Sequence, residues 1–293
     1  MKIILISFLL LILNLNSSLA QTFDVEYASG ENYKTAGFRF WFPEKKEKIK
    51  ALLVVVPGYN TDGRDAVNEK AWQDFAREYK LGIVACYFRD KENPDILYRE
   101  ASKGSGQALI DAISELAAKA EHPEIKSAPL VLFGQSAGGQ FNYEFACWKP
   151  EKVLTFIVNK GGFYHTAIAP EATRKIPAIF FLGENDLYYR KDLIKGIYSV
   201  NRRFGAFWTL ISEKNTAHKF EASKMMALEY FKNIIPLRLS PSNKLRDVSG
   251  DEFYLGDWST KTIEKYTGQK DADSLTIWLP NLKFAEFWKE IYK

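Results

Sequence analysis

Gly134-Gln135-Ser136-Ala137-Gly138 sets a serine between two glycines in the pattern G-x-S-x-G, directly after the apolar run at residues 130–133. When a strand turns sharply into a helix at such a serine, the residue is strained and strand and helix nearly touch beside it. Little beyond hydrogen fits at the two glycine positions, and the hydroxyl stays exposed. That setting predicts Ser136 as a nucleophile for acyl transfer, with the Ala137 amide pointing to the same side as an oxyanion donor. Phe141, Phe145 and Trp148 stripe the helix that would follow, and it stops before Pro150.

Serine is a weak nucleophile and needs a base, which in turn needs an acid to orient it. The chain has three histidines. His122 stands between the end of a helix and the start of a strand, at the wrong edge of a parallel sheet, and reads as a solvated loop residue. His165 is at the correct edge but precedes every plausible acid, whereas the order around a G-x-S-x-G elbow is Ser, Asp/Glu, His. His218 follows the last strand and is the predicted base. Gly183-Glu184-Asn185-Asp186 closes the strand at residues 178–182. Asp186 is the predicted acid and Glu184 its alternative; capping of the following helix is the purely structural role for Asp186.

The second oxyanion donor should come from the loop after the first central strand, Pro57-Gly58-Tyr59-Asn60. The Tyr59 amide fills that role, and its ring would wall the acyl pocket. Gln135, Tyr164 and Tyr188 are further candidates for substrate contact, although tyrosines there serve equally well as core. No Cys/His cluster has metal-ligand spacing, and no cofactor is expected.

These residues can meet only if the chain brings strand ends together. Residues 38–42, 50–56, 82–88, 130–133, 153–158, 178–182 and 206–211 read as strands. Several are almost wholly apolar, as parallel strands covered on both faces are. Helical stripes alternate with them, for example Trp72, Phe75, Ala76 and Tyr79, then Leu109, Ile110, Ile113, Leu116 and Ala117. Such alternation predicts an α/β fold with a mostly parallel sheet and helices on both faces.

The 293 residues are 46% apolar and carry a formal charge of +4 from 40 basic and 36 acidic side chains. No basic block gives the electrostatic footprint of nucleic-acid binding. Residues 1–20 join Lys2, an apolar run from Ile3 to Leu13 and a Ser18-Leu19-Ala20 close, the pattern of a secretory signal peptide. The run is short of the ~20 residues a spanning helix needs, and no later stretch spans a bilayer, so a secreted or periplasmic location is expected. That compartment permits a Cys86–Cys147 bridge, with two buried thiols as the alternative. The Pro-, Ser- and Arg-rich stretch at 236–247 separates a catalytic region, 21–235, from a C-terminal extension, 236–293, packed on the same domain.

Residues 38–235 resemble the α/β-hydrolase superfamily. Within it, Gly134-Gln135-Ser136-Ala137-Gly138-Gly139 in a chain with a leader is similar to polyhydroxybutyrate depolymerases and to feruloyl or acetylxylan esterases. Pro57-Gly58-Tyr59 is similar to the oxyanion loop of cutinases and polyester hydrolases. Dienelactone hydrolases share the scaffold but use cysteine where this chain has Ser136. The resemblance implies a sheet of about eight strands with the triad at its carboxyl edge, and the short connection at residues 159–175 implies no large cap. The expected activity is cleavage of carboxylic esters through an acyl-enzyme, on a bulky or polymeric substrate such as an esterified plant polysaccharide. A polyester depolymerase is the alternative; a peptidase or a non-catalytic glycan-binding protein on this scaffold are remoter ones.

Overall fold

Six of the apolar runs become the parallel body of one sheet, and what lies on either side of each strand decides where the chemistry can sit. The computed structural model describes residues 21–43, 47–92, 95–248, 253–267 and 276–292, so the leader expected at 1–20 lies outside the described residues. In chain order the elements are β1 (Gln21–Tyr27), β2 (Thr35–Phe42), β3 (Ala51–Val56), α1 (Lys70–Tyr79), β4 (Leu81–Arg89), α2 (Ser105–Lys119), β5 (Leu130–Gln135) and α3 (Ala137–Trp148). Then come β6 (Val153–Asn159), α4 (Glu171–Arg174), β7 (Ala178–Gly183), α5 (Tyr188–Arg203), β8 (Trp208–Glu213) and α6 (Glu221–Arg238). The eight-stranded sheet has the order β1-β2-β4-β3-β5-β6-β7-β8. Strands β4 to β8 and β3 run parallel, while β2 pairs antiparallel with β4 and with β1.

Every residue of β3, β6, β7 and β8 is buried, which requires helices on both faces. One layer joins α1 to α6 through Phe75 and Phe231, whose ring centroids are 6.0 Å apart. The other joins α2 to α3 where Gly106 meets Trp148. The order doubles back at β3, which has β4 on one side and β5 on the other. Loops leaving β3 and β5 therefore diverge and leave a crevice at the carboxyl edge, the usual ligand position in open α/β sheets.

The sequence pattern missed β1, although Phe23, Val25 and Tyr27 alternate along it as an edge strand's residues do. Helix α6 continues past Pro236 to Arg238, so the composition shift begins inside its last turn. Between β6 and β7 the described chain holds only the four-residue α4, which matches the expected lack of a large cap. Cys86 and Cys147 are both free thiols, and burial pushes each above the ordinary cysteine range.

The extension adds a small antiparallel sheet in the order β10-β9-β11, formed by β9 (Tyr254–Asp257), β10 (Ile263–Lys265) and β11 (Thr276–Leu279), then α7 (Leu282–Glu290). It covers the outer edge of β8, where unpaired backbone groups would invite association. Trp288 Nε1 donates to Leu210 O at 3.2 Å, and Ser212 N donates to Tyr292 Oη at 3.0 Å. Thr209 Oγ1 donates to Trp278 O at 2.6 Å. Gly256 makes room for the indole: a Cβ there would lie 2.9 Å from Trp288. Trp288 is fully buried, and emptying such a site costs about 3–5 kcal/mol. Trp288→Ala is therefore expected to lower the unfolding free energy by about that amount in urea titrations, with no new activity and a greater tendency to aggregate.

Candidate active site

Ser136 ends β5 and opens α3 with φ 52° and ψ −118°, a conformation that side-chain-bearing residues rarely adopt. Three backbone bonds hold it there: Ser136 N donates to Asn159 O at 2.8 Å, and Ser136 O accepts from Gly139 N at 3.0 Å and Gln140 N at 3.2 Å. The flanking glycines are sterically required. A Cβ at Gly134 would stand 2.2 Å from Gly138 O, and one at Gly138 would stand 2.3 Å from Val56 O. The elbow is thus wedged between β3, β5 and β6.

The loop after β3 runs beside it. A Cβ on Gly58 would lie 3.7 Å from Ser136 Cβ, which brings the loop that carries the Tyr59 amide beside the serine. Ala137 is the first residue of α3, where a helix leaves its N–H groups unused. The Tyr59 side chain is 54% exposed, and the Arg99 guanidinium lies 5.9 Å from its ring centroid. A cleft of about 440 Å³ beside it is lined by Tyr59, Asn60, Arg89 and Asp90.

On the other flank, His218 Nδ1 lies 2.9 Å from Asp186 Oδ2, within hydrogen-bond distance. Their loops are laced together behind this bond. Asn185 N donates to Thr216 O at 2.9 Å and Glu184 N to Glu213 O at 3.1 Å, while Gly183 has no room for a Cβ beside Thr216 O and Ala217 O. The Asp186 carboxylate is almost wholly enclosed, and the imidazole is about one-third exposed, with 31% of its side-chain surface open. Burial by itself would raise the Asp186 carboxyl. The His218 hydrogen bond, the Leu187 amide and the charges of His218 and Arg190 outweigh it and hold the group below its ordinary value. Glu184 makes only a 3.5 Å contact with Ser212 Oγ, so Asp186 is the carboxylate on the histidine.

The other histidines are elsewhere. His122, expected in solvent, is buried: its ring packs on Phe42 at 4.5 Å and its Nδ1 is 2.8 Å from Glu124 Oε1. The Phe42 ring of β2 covers it edge-on, and that contact, remote in sequence, takes it out of solvent. His165 sits 3.5 Å from Glu100 and packs on Phe163. Tyr164 packs edge-on to Tyr143 at 5.3 Å and donates to Gly161 O at 3.3 Å, while Tyr188 is 78% exposed at the start of α5 and Gln135 is half-buried.

Two features lie outside the expectations drawn from the sequence. Arg190 binds the Asp186 carboxylate; the i, i+4 spacing could have suggested it. Lys160 and Glu213, at the ends of β6 and β8, form a buried ion pair, and Lys160 also contacts Asn159 Oδ1 at 3.2 Å and Ser223 Oγ at 3.4 Å. The Phe220 ring bridges this pair to His218, with Lys160 Nζ 5.6 Å from its centroid and the imidazole 5.0 Å from it. Among the described residues no group of three His, Cys, Asp or Glu side chains could hold a metal, and no helix is long and apolar enough to cross a membrane.

Neither a protein-family model nor a curated protein matches the chain. Solved structures do. A ferulic acid esterase aligns with TM-score 0.57 at 10% identity, over 73% of this chain and 98% of that one. An S-formylglutathione hydrolase from Agrobacterium tumefaciens aligns at 0.54 and 13% identity, over 74% and 95%. The LpqC poly(3-hydroxybutyrate) depolymerase from Bordetella parapertussis aligns at 0.53 and 16% identity, over 78% and 92%. The chain has the α/β-hydrolase fold.

Because the Asp186 carboxyl is lowered in the folded state, it contributes stability that is complete above its unfolded value, ~3.9, and is lost as pH falls through the folded value. The stability gap between wild type and Asp186→Asn is therefore expected to be constant near neutral pH and to shrink below about pH 4 in urea unfolding.

Proposed function

We propose that this protein is a serine esterase that cleaves carboxylic esters through an acyl-enzyme. The observation that carries the reading is the pairing of a strained, glycine-flanked Ser136 with a His218–Asp186 hydrogen bond of 2.9 Å at the same sheet edge. With Nδ1–H committed to Asp186, the His218 Nε2 lone pair is the one left to take the Ser136 proton. Ser136 Oγ then attacks the ester carbonyl, and the Tyr59 and Ala137 amides stabilise the oxyanion, each worth ~3 kcal/mol in the transition state. His218 returns the proton to the departing alcohol, and water repeats the sequence on the acyl-serine to release acid and free Ser136.

A bulky or polymeric ester is the substrate class we favour, an esterified plant polysaccharide first, met outside the cytoplasm after removal of the leader at 1–20. Two observations support it: the short β6–β7 connection, which leaves the edge without a roof of its own, and the exposed side chains there. Among the described residues, Tyr59, Phe163, Leu187, Tyr188 and Tyr189 are exposed on the segments just after β3, β6 and β7. Such a rim offers flat contact to sugar or aryl groups, with Tyr59 and Gln135 next in the chain to Gly58 and Ser136. The same rim fits a polyester surface, which keeps a depolymerase as the second reading.

Ser136→Ala is expected to abolish burst-phase release of p-nitrophenol and leave the circular dichroism spectrum unchanged; turnover above a few per cent of wild type would refute the assignment. Asp186→Asn should lower kcat by roughly 10⁴-fold, with Glu184→Gln near wild type. An open acyl pocket buries few methylenes, each worth only ~0.8 kcal/mol. Short p-nitrophenyl esters should accordingly match or beat long ones in kcat/KM, with acid released from feruloylated or acetylated xylan. A steady rise toward palmitate, without activity on the polysaccharide, would point to a roofed acyl tunnel instead.

A further inference from the structure

Asp186 has two carboxylate oxygens, and His218 uses one. The other, Oδ1, accepts from Leu187 N at 2.7 Å and from Arg190 Nη1. Arg190 lies four residues on, in the first turn of α5, so one turn of helix brings its side chain back over the acid. The guanidinium is largely enclosed, with 15% of the side chain exposed. It crosses the chain after β6 at Gly162, where a Cβ would stand 3.0 Å from Arg190 Nε. Nη2 reaches Tyr189 Oη at 3.5 Å.

One further distance matters. Arg190 Nη1 is also 3.1 Å from His218 Nδ1. Guanidinium nitrogens only donate. If Nδ1 carries its hydrogen, the two nitrogens face each other as donors and Asp186 must accept from both. If Nδ1 is bare, Arg190 can donate to it, and the imidazole then carries its proton on Nε2, where it cannot receive one from Ser136. The tautomer of His218 therefore depends on how firmly Asp186 keeps Oδ2 on Nδ1. A terminal carboxylate torsion is broad and roughly two-fold, so an unclamped Asp186 would swing away from the ring.

We propose that Arg190 is a positioning residue for the triad: its planar fork, seated on Gly162, clamps Oδ1 of Asp186 so that Oδ2 stays on His218 Nδ1 and the Nε2 lone pair faces Ser136. This rests on the triad assigned under the proposed function. The clamp needs the fork as well as the charge, since lysine offers a compact point charge where arginine offers a fixed planar array of donors. A buried Lys160–Glu213 pair lies behind Phe220, which separates it from the His218 ring.

The test is ¹⁵N NMR of labelled imidazoles in the full chain at about pH 8, above the ordinary histidine range, with the His218 signals identified by their loss in His218→Gln. In wild type the Nδ1–H tautomer should dominate. Arg190→Met should raise the Nε2–H fraction at least several-fold, and Gly162→Ala, which pushes the guanidinium without removing its charge, should do so to a smaller extent. Arg190→Lys should resemble Arg190→Met, and it supplies the comparison should the methionine variant not fold. On p-nitrophenyl acetate kcat should fall about ten- to a hundred-fold with KM little changed. An unaltered tautomer ratio in a folded Arg190 variant overturns the proposal. So does a rise in KM confined to anionic esters at unchanged kcat, which would make Arg190 a substrate-binding group. The tautomer readout needs no turnover, so a chain without Ser136-dependent esterase activity would defeat the functional reading and leave this test standing.

Discussion

The contact between Gly134 and Gly138 is the constraint on which everything else turns. A single carbon added at Gly134 would stand 2.2 Å from Gly138 O, and one added at Gly138 would stand 2.3 Å from Val56 O of β3. That approach lets β5 end and α3 begin around one residue, and it forces Ser136 to φ 52°. A non-glycine residue held so costs of order 1–3 kcal/mol and persists only where its surroundings over-determine it. Here they do: β3 packs against Gly138, β6 accepts the Ser136 amide through Asn159, and α3 is buried along nearly its whole length.

The other half of the site depends on the same sheet by a different route. Asp186 and His218 are 32 residues apart, and their meeting requires β7 and β8 to be neighbours in register. Trp208 and Phe180, with ring centroids 5.0 Å apart, pack these strands from within, and Tyr143 of α3 joins them at 6.0 Å from Trp208. The extension then closes the outer edge of β8 with Trp288, Tyr292 and Trp278. A region that contributes no candidate catalytic side chain thereby holds the strand from which the His218 loop departs.

How much of this was readable from the chain alone follows from how local each signal is. The elbow is local: an apolar strand, two glycines and an amphipathic helix lie in one stretch of sequence, so Ser136 and Ala137 could be assigned there. Asp186 and His218 can be singled out because strand ends are legible as the ends of apolar runs, and three histidines allow elimination. What escaped depends on pairing across the sheet. Lys160 and Glu213 are 53 residues apart and meet only because β6, β7 and β8 are adjacent. His122 looked solvated since nothing nearby in sequence reveals that Phe42 lies against it. The β1 strand was passed over because seven alternating residues at an edge carry a weaker pattern than the solid apolar runs of the centre. Pro236 opens the composition shift, yet a proline in a last turn sacrifices one hydrogen bond and α6 runs on to Arg238.

The central claim is that the strained serine, and no other residue, is the nucleophile. Incubating the whole protein with a fluorophosphonate probe and mapping the adduct by peptide mass spectrometry tests it most directly. One adduct per chain is expected, on the peptide containing Ser136, with its formation suppressed in His218→Ala and absent in Ser136→Ala. An adduct on a different serine, or a folded wild-type chain that stays unmodified, would contradict it.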